Sequence, residues 1–305
     1  MTPSVLVTGG SGFIGTWVLR ELLHQGARPV VVDPHPALPR WQRILGNRAS
    51  EVVTAEASLL DPASLLRVIE KYEVTQIIHL AALLTPACQH DPFLGCQVNV
   101  LGGTSVWEAA RRSERVRSIS YASSYAVYGP ETGDSDASPN RPPTFYGAFK
   151  QAMDLIAEQY WRHFGIASVA VRPHVVYGPE RELGLTAGPS LAIKAAALGE
   201  SYTIGYTGLV GYDYVEDVAR AFVRAAFECP PGATVVDLPG EQATTEQFAR
   251  AIETVVPSSK GRIPVHGPTI PANIPPNPRY ISELFPDWQA TSLVEGVRKT
   301  VEFYR

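Results

Sequence analysis

Hydrophobic positions along the chain fall into two alternating rhythms. Continuous apolar stretches at residues 5–7, 29–33, 51–54, 76–82 and 115–124 are short enough to be strands buried on both faces. Between them the spacing turns helical. Trp17, Val18, Leu22 and Leu23 mark one apolar face, with Gly26 ending that helix. Leu65, Leu66 and Ile69 mark a second, behind Asp61-Pro62, which predicts an N-cap with proline in the first turn. A third helix opens at Tyr146 and continues through Met153, Leu155, Ile156 and Tyr160. Strands alternating with helices at this spacing require right-handed crossovers, and hence a parallel sheet covered on both faces. The predicted fold class is α/β, a doubly wound parallel sheet of the Rossmann type.

Composition narrows the functional classes. A length of 305 residues suits one large sheet domain with a smaller C-terminal one, and 45% hydrophobic against 18% charged residues is globular. With a net charge of -4 the chain lacks the basic face that a nucleic-acid backbone demands, so no nucleic-acid partner is expected. Cys88, Cys96 and Cys229 are odd in number and show no C-x-x-C spacing, which predicts buried free thiols rather than disulfides or a metal site. The first strand starts by about Ser4, leaving no room for a leader, and no run of about 18 apolar residues occurs. A cytoplasmic protein without a membrane partner is the expectation. The only biased segment is Pro-rich, over residues 264–278, and reads as a surface connection.

Candidate chemistry gathers at strand ends. Gly9, Gly12 and Gly15 form a G-x-x-G-x-x-G loop between the first strand and the first helix. Unpaired amides at that helix start, together with its dipole, make a site for a pyrophosphate. Asp33 closes the second strand 18 positions past Gly15, where an acid accepts from the adenosine ribose hydroxyls and repels a 2′-phosphate, favouring NAD over NADP. Arg40 and Arg43 lie just beyond and are the residues that could reverse that preference. His79, inside an apolar run, reads as a packed core histidine. Ser123 and Ser124 place hydroxyls at the end of the fifth strand. Tyr146 and Lys150, four apart on one helix, share a face.

The motifs Gly9-Gly-Ser-Gly-Phe-Ile-Gly15, His79-Leu-Ala-Ala82, Asn99, Ser123-Ser-Tyr-Ala-Val-Tyr-Gly129, Tyr146 to Lys150, Arg172-Pro-His-Val-Val-Tyr-Gly-Pro179 and Tyr214-Val-Glu-Asp-Val218 occur in an order that resembles the extended short-chain dehydrogenase/reductases of the NAD-dependent epimerase/dehydratase family. The likeness runs to Ser292-Leu-Val-Glu-Gly296, where Ser292 and Glu295 also suggest a capping box. It implies an NAD-binding domain over residues 1–172 and a mainly substrate-binding domain over 173–305, interleaved with the first. It also implies that Ser124, Tyr146 and Lys150 are catalytic: Tyr146 as base, Lys150 favouring the phenolate and holding ribose hydroxyls, Ser124 donating to the substrate oxygen. The cofactor contacts it implies are Gly9, Gly12, Phe13, Ile14, Gly15, Asp33, Ser58, Leu59, Leu80, Ala81, Ala82, Asn99, Pro173, His174, Val175 and Val176, besides Tyr146 and Lys150. A homodimer is implied through the helix at residues 93–112 and the Tyr146 helix, whose Leu155, Ile156, Gln159 and Trp161 offer partly apolar surface.

Departures from the family pattern bear on the reaction. Dehydratases carry an Asp-Glu pair after the catalytic hydroxyl residue, and here Tyr125 and Ala126 stand there. The acid that follows the third strand is replaced by Ser58. Where UDP-sugar epimerases place an Arg before Asp-Tyr, this chain has Tyr212, and Val175 stands in the place of an Asn; of a later Arg only Arg279 remains. The expectation is an NAD-dependent oxidoreductase of a small hydroxylated molecule, a sugar, sugar acid or polyol, lined by Ser124, Tyr125, Arg181 and Tyr212. The alternatives are a nucleotide-sugar 4-epimerase and a non-catalytic NAD-sensing module.

Overall fold

In the computed structural model, which describes residues 2–129, 141–270 and 278–305, the first half of the chain is strand–helix alternation. The elements are β1 (Ser4–Thr8), α1 (Phe13–His24), β2 (Arg28–Val32), α2 (Leu38–Leu45), β3 (Val53–Thr54), α3 (Pro62–Lys71), β4 (Gln76–His79), α4 (Thr85–His90), α5 (Pro92–Cys96), α6 (Gly102–Arg112), β5 (Ser118–Ala122) and α7 (Phe145–Phe164). There follow β6 (Ser168–Arg172), β7 (Val175–Tyr177), α8 (Gly188–Ala197), β8 (Leu209–Tyr214), α9 (Val215–Phe227), β9 (Ala233–Asp237), β10 (Glu241–Thr244), α10 (Thr245–Val255), α11 (Ile281–Leu284) and α12 (Leu293–Tyr304). The main sheet has seven strands in the order β3-β2-β1-β4-β5-β6-β9, all parallel. Strand order reverses direction between β1 and β4, and ligands of open α/β sheets bind in the crevice beyond such a point. The doubly wound α/β fold is as expected.

Each strand supplies both faces. Val5 and Val7 point into one core with Trp17, Leu19 and Leu22, while Leu6 between them points into the other with Leu65, Ile69 and Trp107. This is the period-two alternation of a strand whose two faces are both covered. Asp61 Oδ1 accepts from the Ala63 amide at 3.0 Å, so the expected cap on α3 forms. At α12 only half of the expected capping box is present: Ser292 Oγ accepts from the Glu295 amide, but Glu295 turns to Arg298. The apolar stretches overestimate strand length, since pairing in β4 stops at His79 and in β5 at Ala122. Backbone beyond both ends is released to form the site.

The later segment divides. β9 returns to the main sheet beside β6, and α9 packs against α1. β7, β8 and β10 form a second sheet, with β10 antiparallel and β7 parallel to β8. Tyr177, Tyr212, Tyr214 and Phe248 form its buried ring cluster. Among the thiols only Cys88 is buried; Cys96 is exposed and Cys229 half-buried, which corrects the expectation for those two, and all three are free. The exposed large apolar residues include Phe93, Leu94, Leu101, Phe145 and Leu155 on α5 to α7. Among the described residues no helix is long and apolar enough to cross a membrane. Residues 130–140 of the loop at 129–143, and 271–277 of the Pro-rich stretch 264–278, lie outside the described residues.

Candidate active site

The glycine loop is close-packed against the end of β4. Gly9 has φ 73°, and a Cβ on it would come within 2.7 Å of the Ala81 amide nitrogen; a Cβ on Gly15 would lie 2.2 Å from the Gly9 carbonyl oxygen. The Gly12 amide donates to the Gly9 carbonyl at 3.0 Å, closing the turn. No side chain caps α1, so the amides of its first turn, beginning with Phe13 and Ile14, point out of the helix end without side-chain partners. An anion fits there by geometry and by dipole.

Asp33, just past β2, accepts from the Ser11 amide at 3.2 Å through Oδ2 and from the His35 amide at 3.0 Å through Oδ1. The same loop is gripped from α2, where Arg40 Nη1 donates to the Ser11 carbonyl at 2.9 Å and Trp41 Nε1 to the Gly10 carbonyl at 3.1 Å. The two arginines that could welcome a 2′-phosphate are engaged elsewhere. Arg43 pairs with buried Glu180 at 2.5 Å, which raises its pKa through that bond, and Arg40 lies 3.4 Å from Glu182 and 3.9 Å from Glu180. The loop and Asp33 therefore fit a dinucleotide without a 2′-phosphate.

At the ends of β5 and α7 the structure brings Ser124, Tyr146 and Lys150 together. Thr144 caps α7, accepting from the Gly147 amide at 3.1 Å, and so sets the rotation that turns Tyr146 and Lys150 inward. Ser124 lies close enough to Tyr146 to favour the phenolate, but burial outweighs it and pushes the phenol up to about 12. Ser124 Oγ accepts from the Ala126 amide at 3.1 Å. Lys150 is buried; its Nζ donates to the Ala122 carbonyl at 2.7 Å and lies 5.6 Å from the centre of the Tyr146 ring. Desolvation lowers its pKa to about 8, against an opposing pull from Asp154.

Below this trio lies a buried polar network. Arg172 Nη2 pairs with Asp154 at 2.6 Å and its Nη1 donates to the Tyr128 hydroxyl at 2.6 Å. Ser123 and Tyr121 donate to Asp154 at 2.9 and 3.1 Å, and Tyr128 donates to Asp237 at 3.0 Å. The network ties β5, α7, β6 and β9 beneath the trio. Satisfied on all sides, it rigidifies what sits on it.

Several other expected residues stand differently. Tyr212, expected to line the substrate, is only 2% exposed and packs on Phe248 at 4.5 Å between ring centres. Its pleat on β8 turns it into the ring cluster. Tyr125 is also buried, its hydroxyl donating to the Leu238 carbonyl at 3.1 Å, so it stacks on His174 rather than offering a free hydroxyl. Asn99 spends its amide on the loop after β4, taking the Leu83 amide at 2.7 Å and giving to the Leu83 carbonyl at 2.9 Å, so it shapes that loop instead of reaching outward. Val175 and Val176 bury their side chains in the core, leaving only backbone for a ligand. Ser58 is exposed, its hydroxyl accepting from the Leu60 amide. Leu59 packs near Gly102. Leu80 is partly buried against the core, beside Ala81 and Ala82, and Pro173 is buried with its carbonyl taking the Tyr125 amide. His79 is buried as expected, against Thr8 Oγ1 at 2.6 Å, and burial lowers it to about 3. His174 packs its ring on Tyr125 at 4.1 Å and is lowered to about 4 by burial.

Arg181 is placed in the cleft. Its guanidinium lies 5.9 Å from the Phe13 ring, Nη2 donates to Thr186 at 2.6 Å, and buried Nη1 has no partner among the described residues. Sequence reasoning missed Ser11, Cys88 and Tyr206, which border these groups.

Residues 5–235 match the NAD dependent epimerase/dehydratase family. The chain belongs to that family. It is 28% identical over 310 residues to the UDP-glucose 4-epimerase of Mycolicibacterium smegmatis, with 98% of each chain covered. It is 30% identical over 171 residues to the D-erythronate dehydrogenase of Haemophilus influenzae, covering 55% of this chain and 53% of that one. The crystal structure of the Thermus thermophilus UDP-glucose 4-epimerase in complex with NAD superposes with a TM-score of 0.75 at 25% identity, over 99% of this chain and 98% of that one. The chain is thus an NAD-dependent enzyme of the extended short-chain dehydrogenase/reductase type, with sugar epimerase and dehydrogenase relatives.

Proposed function

We propose that the chain is an NAD-dependent oxidoreductase of a small hydroxylated substrate, with Ser124, Tyr146 and Lys150 as its catalytic group. The observation that carries this reading is buried Lys150, held on the Ala122 carbonyl at 2.7 Å with its Nζ 5.6 Å from the centre of the Tyr146 ring, with Ser124 beside that tyrosine. NAD, when bound, accepts a hydride from a carbinol carbon. Removing the carbinol proton is the task left to the protein, and Tyr146 is the group in reach to take it. Lys150, whose ammonium lies against the Tyr146 ring, favours the phenolate over the phenol. Ser124 donates to the same substrate oxygen and fixes where it sits. In this reading the glycine loop and Asp33 hold the dinucleotide, and the small sheet with α8 closes the substrate side.

A second reading, a nucleotide-sugar 4-epimerase, is favoured by the full-length likeness to the Mycolicibacterium smegmatis enzyme. Against it, two positions expected to hold a diphosphate carry the buried side chains of Tyr212 and Val175, and Arg279 is exposed. A panel of sugars, sugar acids, polyols and UDP-sugars with NAD separates the two. NADH accumulating with a nucleotide-free substrate, and no calorimetric binding of UDP or UDP-glucose tighter than about 1 mM, is the expected result. Micromolar binding of UDP-glucose with sugar interconversion and no net NADH would establish the epimerase instead.

The reading includes a homodimer through α5 to α7, where Phe93 is 74% and Leu155 59% exposed. Sedimentation at micromolar concentration should give twice the chain mass; a monomer would remove the dimer from the proposal.

A further inference from the structure

Among the described residues, no carboxylate answers the charge of Arg181 and no acceptor meets its Nη1. Nη1 is buried without a hydrogen-bond partner among the described residues, and Nη2 has only Thr186. Both flanking carboxylates are spoken for: Glu180 pairs with Arg43 and Arg40, Glu182 with Arg40 and Lys194. No carboxylate forms an ion pair with Arg181 among the described residues. An unpaired buried guanidinium is costly unless a ligand completes it.

The chain turns sharply to hold it there. Gly178 has φ 144° and Glu180 φ 69°, the latter in a region that side-chain-bearing residues avoid. Three contacts clamp the corner: Trp17 Nε1 donates to the Pro179 carbonyl at 3.2 Å, the Glu180 amide donates to the Tyr304 hydroxyl at 2.8 Å, and Arg43 binds the Glu180 carboxylate. The corner directs Arg181 across Phe13 and toward Tyr146 and Tyr206, both close enough to influence its charge. Burial lowers the guanidinium to about 10, which still leaves it charged at neutral pH. Around it are Leu84 and Gly184, and exposed Leu183 and Leu185 continue that loop.

We propose that Arg181 receives a carboxylate of the substrate, so that the enzyme acts on hydroxy acids. The inference rests on the oxidoreductase reading above and deepens it. A planar guanidinium with one free edge and one hydroxyl neighbour suits a monoanion held by paired N–H bonds. A diphosphate carries about two charges and would call for a second donor cation; here the second cation of the cleft, Lys150, is committed to the Ala122 carbonyl and the Tyr146 ring.

The test compares short-chain aldonates with their amides, the corresponding polyols and the corresponding phosphates, in the NAD-loaded enzyme. Wild-type kcat/KM for an aldonate should exceed that of its amide by about 10- to 100-fold, the range of one charged hydrogen-bonded contact. Arg181→Gln should erase that preference through KM, with NAD affinity unchanged, and Arg181→Lys should restore part of it. Calorimetry of an aldonate on NAD-loaded Tyr146→Phe, with and without Arg181→Gln, reads binding apart from turnover. Arg181-dependent binding without NADH from any substrate would sink the oxidoreductase reading and leave the carboxylate site standing. Equal use of acid and amide by the wild type, a preference for the phosphate, or a loss of NAD affinity in Arg181→Gln would each overturn the carboxylate assignment.

Discussion

Replacing Lys150 by Met should cripple catalysis and yet stabilise the fold at neutral pH. Lys150 is 7% exposed, and its pKa falls from 10.5 to about 8, chiefly through desolvation. That displacement corresponds to about 3 kcal/mol of penalty on the charged form. Methionine fills a similar volume without charge, while Asp154 keeps its pairing with Arg172. Against the gain stands the lost 2.7 Å bond to the Ala122 carbonyl, worth about 1–3 kcal/mol if that oxygen is left unpaired. The net expectation at pH 7 is about 1 kcal/mol of stabilisation, or a Tm rise of a few degrees. The sign then inverts with pH. Between about 8 and 10.5 the unfolded chain keeps the lysine proton that the folded chain has given up, so wild-type stability gains with rising pH and the variant lacks that gain. Urea unfolding of both proteins at pH 7 and at pH 10 is the assay. A variant less stable than the wild type at pH 7 by more than about 1 kcal/mol, or a difference that does not shift with pH, would refute the argument that burial penalises this charge. Turnover should fall about 10²- to 10⁴-fold, the scale of losing an acid–base helper.

The other expectations are briefer. Tyr146→Phe should keep the fold and NAD affinity and lower kcat about 10²- to 10⁴-fold, measured as NADH formation; near-normal turnover would remove Tyr146 from the proton step. NAD should be preferred to NADP because Asp33 closes β2 beside the glycine loop and both nearby arginines are paired. Comparing kcat/KM for the two cofactors checks it, and equal use would mean that Arg40 or Arg43 leaves its carboxylate.

Much of the fold was legible because each early strand is a continuous apolar run and each early helix carries an apolar face. Val5 to Val7 and the face of Trp17 to Leu23 cannot be buried in another arrangement without exposing one side. The glycine loop was legible for a similar reason, since the Gly9 and Gly15 positions leave no room for a Cβ. Orientation was less so. Tyr212 and Tyr125 are polar enough to suggest ligands, but whether a strand-borne ring faces cleft or core depends on register, and β8 paired to β7 and β10 turns Tyr212 inward. Asn99 could not be read either: its partner, the Leu83 backbone, becomes available only because β4 stops at His79. The pairing of Arg40 and Arg43 with Glu180 spans roughly half the chain, and no local pattern announces it.

Pairing separates the structural charges from the functional ones. Arg172 is surrounded by Asp154, Tyr128 and Ser123, and Arg40 and Arg43 meet Glu180, so these cations are answered within the fold. Lys150 and Arg181 have no carboxylate partner within ion-pair distance among the described residues, and desolvation lowers the pKa of both. A fold under selection for stability alone would replace such groups by apolar ones at little cost. The two place positive charge without a carboxylate partner near Tyr146, in a cleft of a molecule whose net charge is -4. Such a cleft concentrates anions and strengthens their binding relative to neutral analogues, an effect that weakens with added salt for the exposed part of the path and persists at the buried contact. On the proposed reading, Lys150 acts at the hydroxyl that loses its proton and Arg181 at the anionic group that fixes which hydroxyl it is.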